Sequence, residues 1–321
     1  MSHKQQLKVV MVAVVMMIFI GGVSYGNAEA EKQCPAAGNI QAKPGLLIIA
    51  HGAPFPEWNK PVLDLEKQVS DILDDENLFA KIKVVMMEFT EPTIADGVRE
   101  MEAAGCSRII AVPLLIAPSS HSHWDVPALL GLYSDAEMEK ELKSEGADII
   151  RSKLPVTITP TLNYGDLIPE IMLDRVKELS RNPENEAVVV LAHGDEVTPP
   201  VWDKLMKRTV AYICGKTGIS CADYGFVHVG QSFDTNGVGI IAEAAHSRKK
   251  VIVVGVYLSM GVEGMYKRYV KTFPMKAMAM PGLANPLEGL DIALAKDGLL
   301  PDKRVAQWVA SAAKREVVSR N

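Results

Sequence analysis

The feature that most constrains the fold of this chain is a repeat within it. The run Leu46-Leu47-Ile48-Ile49-Ala50-His51-Gly52 returns as Ala187-Val188-Val189-Val190-Leu191-Ala192-His193-Gly194. The spacing that follows is also kept: Pro113-Leu114-Leu115-Ile116 begins 62 residues after His51, and Gly255-Val256-Tyr257-Leu258 begins 62 residues after His193. A chain that restarts its own pattern builds two copies of one supersecondary unit. Continuous apolar runs read as strands buried on both faces, and the amphipathic stretches between them read as helices covering a parallel sheet. The expected fold class is therefore α/β, with two duplicated doubly wound parallel-sheet lobes.

In the first lobe the strands are expected at 45–50, 83–87, 109–115 and 156–159, with helices over 61–73 and 92–104, the second closed by Gly105. The change of lobe is expected near Asn182-Pro183-Glu184-Asn185, which divides the chain into 31–182 and 183–321. Residues 1–30 read as a signal peptide. A basic start, His3-Lys4 to Lys8, precedes an apolar run from Val9 to Ile20, and Ala28-Glu29-Ala30 places small residues at a cleavage site. An uncleaved anchor is the competing reading, but the run is shorter than the roughly 20 residues that span a bilayer. The expectation is a periplasmic protein beginning near Glu31, touching the membrane only through the signal segment before cleavage.

Export would expose Cys34, Cys106, Cys214 and Cys221 to an oxidising compartment. Their spacing is not that of a zinc site. Cys214 and Cys221 flank a short turn and are the leading candidates for a disulfide, with isolated buried thiols as the other reading. A net charge of −5 and no basic run argue against nucleic acid as a partner.

Ligands of open α/β sheets bind beyond the carboxyl ends of the strands. In the first lobe the polar residues at those ends are His51, Glu88 and His121, with His123 close behind in the stretch His121-Ser122-His123-Trp124-Asp125-Val126-Pro127. Two imidazoles and a carboxylate from three strand ends suit a borderline divalent metal. Each residue also has a plainer reading: His-Gly as a turn, Glu88 as a solvated charge, and the two later histidines as exposed loop residues. Their coincidence at matching strand ends favours function. In the second lobe the counterparts are His193, His228 and Glu263, the last as far from His193 as His121 is from His51. A degenerate repeat keeping only structural roles is the plainer reading there, and the first lobe is expected to hold the principal site.

The motifs Ile48-Ile49-Ala50-His51-Gly52, Met87-Glu88-Phe89-Thr90-Glu91-Pro92-Thr93-Ile94, and Val112-Pro113-Leu114-Leu115 with His121 and Asp125-Val126-Pro127 resemble the sirohydrochlorin cobaltochelatase and ferrochelatase family, the class II tetrapyrrole chelatases of CbiX type. The resemblance runs from about Gly45 to Lys271 and is more specific in the first lobe. It implies insertion of a divalent metal substrate, Co2+ or Fe2+, into a tetrapyrrole such as sirohydrochlorin, in a cleft between lobes and without a nucleotide cofactor. By position, His51 and His121 match the family histidines that bind metal or take pyrrole protons, and Glu88 its strand-end glutamate. The family usually has Gly before the second histidine, where this chain has Ser120 or Ser119. Family enzymes that make cobalamin or sirohaem are usually cytoplasmic, whereas an export signal fits a relative handling haem or metal during uptake. The main alternative is a periplasmic protein of this fold that binds a tetrapyrrole or metal without inserting it. A small-molecule solute-binding protein is a third reading, and it would not need histidines at matching strand ends.

Overall fold

The computed structural model describes residues 42–144, 146–227, 233–280 and 282–318. The expected signal segment, Cys34 and His228 lie outside the described residues. The first half runs β1 (Gly45–Ala50), α1 (Pro56–Leu63), α2 (Leu65–Leu73), β2 (Lys81–Met86), α3 (Ile94–Ala103), β3 (Ile109–Pro113), α4 (Val126–Leu129), α5 (Ala136–Ser144) and β4 (Val156–Ile158). Then follow α6 (Leu167–Leu179), β5 (Glu186–Ala192), α7 (Pro199–Thr217), β6 (Cys221–Phe226), α8 (Val238–Ser247), β7 (Lys250–Val256), α9 (Glu263–Ala279), β8 (Asp291–Leu294) and α10 (Lys303–Val318). Two four-stranded sheets result, ordered β2-β1-β3-β4 and β6-β5-β7-β8. Every pairing in them is parallel.

The duplication extends to register. Ile49 lies opposite Pro113, and Leu191 opposite Gly255. Ala50 lies opposite Met86, and Ala192 opposite Phe226. Corresponding strands thus end at the same level in both sheets, which is what carries their terminal residues to comparable places.

Each sheet is buried on both faces because its side chains alternate. Leu47, Ile49, Val85, Ile109 and Ala111 pack with α3 to α5 on one side of the first sheet. Leu46, Ile48, Ala50, Ile110 and Val112 face the other way, into a core shared with Val188, Val190, Ile252 and Val254 of the second sheet. The closing helix of each half is exchanged. Helix α6 packs on β7 and α7, and α10 on α2 and β3. Arg304 seals the exchange, giving Asp174 a hydrogen bond of 2.7 Å, and Arg108 donates to the Glu316 carbonyl at 2.9 Å. The connection between the sheets is tied by the buried Glu186 carboxylate, which accepts bonds from Ser180, Arg181 and Asn182.

Some element ends differ from the sequence reading, for local reasons. The expected helix over 61–73 is two helices meeting at Asp64, with Pro61 inside the first. The helix expected from Pro92 starts at Ile94, because Thr93 and Asp96 form a reciprocal capping box. The third strand ends at Pro113, although the Leu114 N–H still reaches the Ile49 carbonyl at 2.7 Å. Cys106, Cys214 and Cys221 are free thiols, so the cross-link considered between the last two is not formed. Among the described residues no helix is long and apolar enough to cross a membrane.

Candidate functional site

The site grows from the ends of β1, β2 and β3. Past the end of β1 the backbone pairing with β2 continues, with Met87 N–H on the Ala50 carbonyl at 2.8 Å and Glu88 N–H on the His51 carbonyl at 3.2 Å. This close approach requires Gly52: it sits at φ +88°, and a Cβ there would lie 2.2 Å from the Glu88 carbonyl oxygen. The His-Gly pair is thus a turn, and that turn sets His51 beside Glu88.

His51 Nδ1 lies 2.9 Å from the Gly52 carbonyl oxygen. A carbonyl only accepts, so Nδ1 carries the hydrogen and the tautomer is set. His51 Nε2 then faces Glu88 Oε1 at 3.1 Å. Burial works against the imidazolium, but the hydrogen bonds to Glu88 and Gly52, with the negative charges of Glu88 and Asp125, outweigh it and raise the His51 pKa above its ordinary value. A divalent cation at Nε2 would replace that proton and keep the same carboxylate partner.

His121 arrives by a different route. The chain leaves β3 through Leu114 to Ser120 and enters a wide helical turn over His121–Asp125. Residues four apart share a helix face, and His121 Nδ1 meets Asp125 Oδ2 at 2.6 Å. The carboxylate fixes ring and tautomer and leaves Nε2 for a ligand, the arrangement of an oriented metal-binding histidine. The His51 and His121 rings stand edge to face with centroids 4.8 Å apart.

One ligand atom each of His51, Glu88 and His121 lies within 4.8 Å of the others, the one such group among the described residues. To share one first-row divalent ion at roughly 2.0–2.2 Å, the three atoms would have to draw slightly closer than they stand. Three mixed nitrogen and oxygen donors, each partly exposed, leave coordination positions open on the solvent side. His123 is not among them. Its Nδ1 donates to the Ser119 carbonyl at 2.9 Å, and its ring lies exposed beside Trp124.

The loop carrying His121 is held by the second lobe, through residues that the sequence reading did not single out. Ser120 N–H donates to Asp195 Oδ2 at 3.2 Å, and the Pro118 carbonyl accepts from Thr198 Oγ1 at 2.5 Å and from Trp202 Nε1 at 2.9 Å. Asp195 lies two residues beyond His193, so the second His-Gly turn helps to build the first lobe's site. In that second turn His193 Nδ1 repeats the bond of His51, 2.8 Å from the Gly194 carbonyl. Glu263 opens α9 and pairs with Lys267 at 3.0 Å. His228, the counterpart of Glu88 by register, lies outside the described residues.

Comparison with known proteins bears on the family and the fold. The CbiX family model matches residues 45–179, a span holding His51, Glu88, His121 and Asp125. The sirohydrochlorin cobaltochelatase of Saccharolobus solfataricus is 30% identical over 134 residues, covering 42% of this chain and 94% of that protein. Among solved structures, SirB from Bacillus subtilis with Fe3+ superposes with a TM-score of 0.57 at 15% identity, covering 86% of this chain and 95% of its own. The sirohydrochlorin chelatase SirB from Bacillus subtilis subspecies spizizenii, in complex with cobalt, gives a TM-score of 0.55 at 15% identity with the same coverage. The sequence match falls on the first lobe, while the likeness of fold reaches across both.

Proposed function

The chain belongs to the CbiX family of metal chelatases, and we propose on that premise that it inserts a divalent metal ion, cobalt or iron, into a tetrapyrrole of the sirohydrochlorin type, in the periplasm. The observation that carries this reading is the meeting of His51, Glu88 and His121, in which each imidazole is paired with a carboxylate of its own.

Insertion exchanges two pyrrole N–H protons for one metal ion, so it needs two proton acceptors and a place where the ion sheds water. The three donors hold the ion with part of its shell open to the incoming macrocycle. As pyrrole nitrogens replace them, the freed His51 Nε2 and His121 Nε2 are the bases nearest to the leaving protons. Glu88 stabilises the charge that forms on His51, and Asp125 does so for His121 through Nδ1. There is one imidazole and carboxylate pair for each proton. The His51 pair, with its raised pKa, is suited to hold a proton near neutrality.

The discriminating experiment is turnover. The protein mixed with sirohydrochlorin and Co2+, or with Fe2+ under anaerobic conditions, is expected to speed the absorbance change of insertion well above the spontaneous rate. Tight binding of both substrates without acceleration would make it a carrier instead. The periplasmic placement rests on the basic, apolar and small-residue order of residues 1–30. Mass spectrometry of the exported protein is expected to find a start near Glu31, and an intact Met1 would overturn the placement.

A further inference from the structure

The β2–α3 connection carries a backbone feature that metal binding does not require. Phe89, directly after Glu88, sits at φ +67°. The Thr90 N–H donates to the Glu88 carbonyl at 2.9 Å, closing a three-residue γ-turn with Phe89 at its centre. A γ-turn with positive φ is the rare, strained form. For a bulky side chain this region is an outlier, because Cβ crowds a carbonyl oxygen. Glycine or asparagine adopts such a backbone more easily, as Asn77 does at φ +47°. Nor does the Phe89 ring gain from burial, since it is 57% exposed and belongs to none of the hydrophobic clusters. An aromatic residue here costs stability through its backbone, and its one ring contact is with the His51 imidazole rather than with a hydrophobic core.

The turn separates two neighbouring side chains. The Glu88 carboxylate reaches His51 Nε2 at 3.1 Å, while the Phe89 ring stays at the surface with its centroid 5.9 Å from the same imidazole, tilted by 35°. Any flat ligand lying on Phe89 is thereby held beside a histidine of the metal site. Strain kept at such a position is a mark of function, and an exposed aromatic face suits an extended π-system. We propose that Phe89 is the aromatic platform on which the tetrapyrrole stacks, and that it positions the macrocycle over His51 and His121. This rests on the tetrapyrrole reading given above.

The test compares wild type with Phe89→Gly, Phe89→Ala and Phe89→Tyr for unfolding temperature, Co2+ affinity by titration, and the kinetics of sirohydrochlorin metallation. Phe89→Gly relieves the turn, so its unfolding temperature holds or rises by about 2 °C. Its Co2+ affinity stays that of wild type, because Glu88 and His51 are untouched. KM for the tetrapyrrole rises about tenfold in Phe89→Gly and Phe89→Ala, the size of a lost aromatic stack, while Phe89→Tyr keeps the wild-type value. A fall in unfolding temperature or in Co2+ affinity on Phe89→Gly would make Phe89 a support of the turn, and an unchanged KM would remove the platform; either result overturns the proposal. Failure of the wild-type protein to bind or metallate sirohydrochlorin would instead defeat the proposed function, and the platform with it.

Discussion

Replacing His51 or His121 by alanine is expected to lower kcat/KM for cobalt insertion by about 10²- to 10⁴-fold, the usual share of a positioned acid–base group. The fold should survive both changes. The two side chains are about one-third exposed, and neither belongs to a hydrophobic cluster, so no cavity opens. His123→Ala makes the control from the same turn. Its ring nitrogen is engaged with the Ser119 carbonyl and it is not part of the His51, Glu88 and His121 group, so a loss of no more than about threefold is expected, within the range of a surface hydrogen bond. Circular dichroism melts beside the rate measurements separate lost chemistry from lost structure. A larger loss for His123→Ala than for His121→Ala would show that the wrong imidazole of this turn has been assigned to the metal.

Removing α10 by ending the chain before Lys303 is expected to prevent folding of the whole molecule, the first half included. Val305, Val309 and Val317 of this helix are buried, together with Ala306, Ala310 and Ala313, in the core shared by both sheets. At about 1.5–3 kcal/mol per buried valine side chain, the three valines alone approach the 5–15 kcal/mol by which domains are usually stable. The helix also covers α2 and β3 of the first half, so its loss bares the sheet whose strand ends carry His51, Glu88 and His121. Val309→Asp puts a charge into the same layer and serves as the milder version. Urea unfolding should show a much lower midpoint for Val309→Asp and no cooperative transition for the truncation. A truncated protein that melts normally and inserts metal would mean that the helix exchange is dispensable.

Much of the fold was legible in the sequence because its strands are buried on both faces. A continuous apolar run such as Leu46 to Ala50 has no other reading in a chain that alternates strands and helices. The polar residue ending such a run, His51 or Glu88, is then placed at the carboxyl edge by topology alone. The choice between His121 and His123 was harder, since it depends on a helical turn in a serine-rich stretch. Only with that turn formed does the four-residue step to Asp125 put His121 and its carboxylate on one face. The exchange of α6 and α10 left no mark in the repeat, because a helix shows the same amphipathic period whichever sheet it covers. Asp195, Thr198 and Trp202 escaped for a related reason. Their partners, Ser120 and Pro118, lie about 75 to 85 residues away in the chain, and backbone groups offer no pattern by which such bonds are recognised. The strained turn at Phe89 was equally hidden, since nothing in the residue type announces a positive φ.

We propose that the metal is handled in the first lobe, by His51, Glu88 and His121. The second lobe keeps His193 with the same backbone bond, yet at the third position Glu263 stands where His121 stands in the first and is paired with Lys267. A carboxylate is a poorer proton acceptor than an imidazole near neutral pH, their reference pKa values being about 4 and about 6.5. Side by side, His193→Ala should therefore retain most of the insertion rate that His51→Ala loses. The most direct measurement is anomalous diffraction at the cobalt edge from crystals of the whole protein soaked with Co2+. A peak is predicted about 2.0–2.3 Å from His51 Nε2, a Glu88 oxygen and His121 Nε2. A peak at His193 and Glu263, with none at His51, would contradict the account.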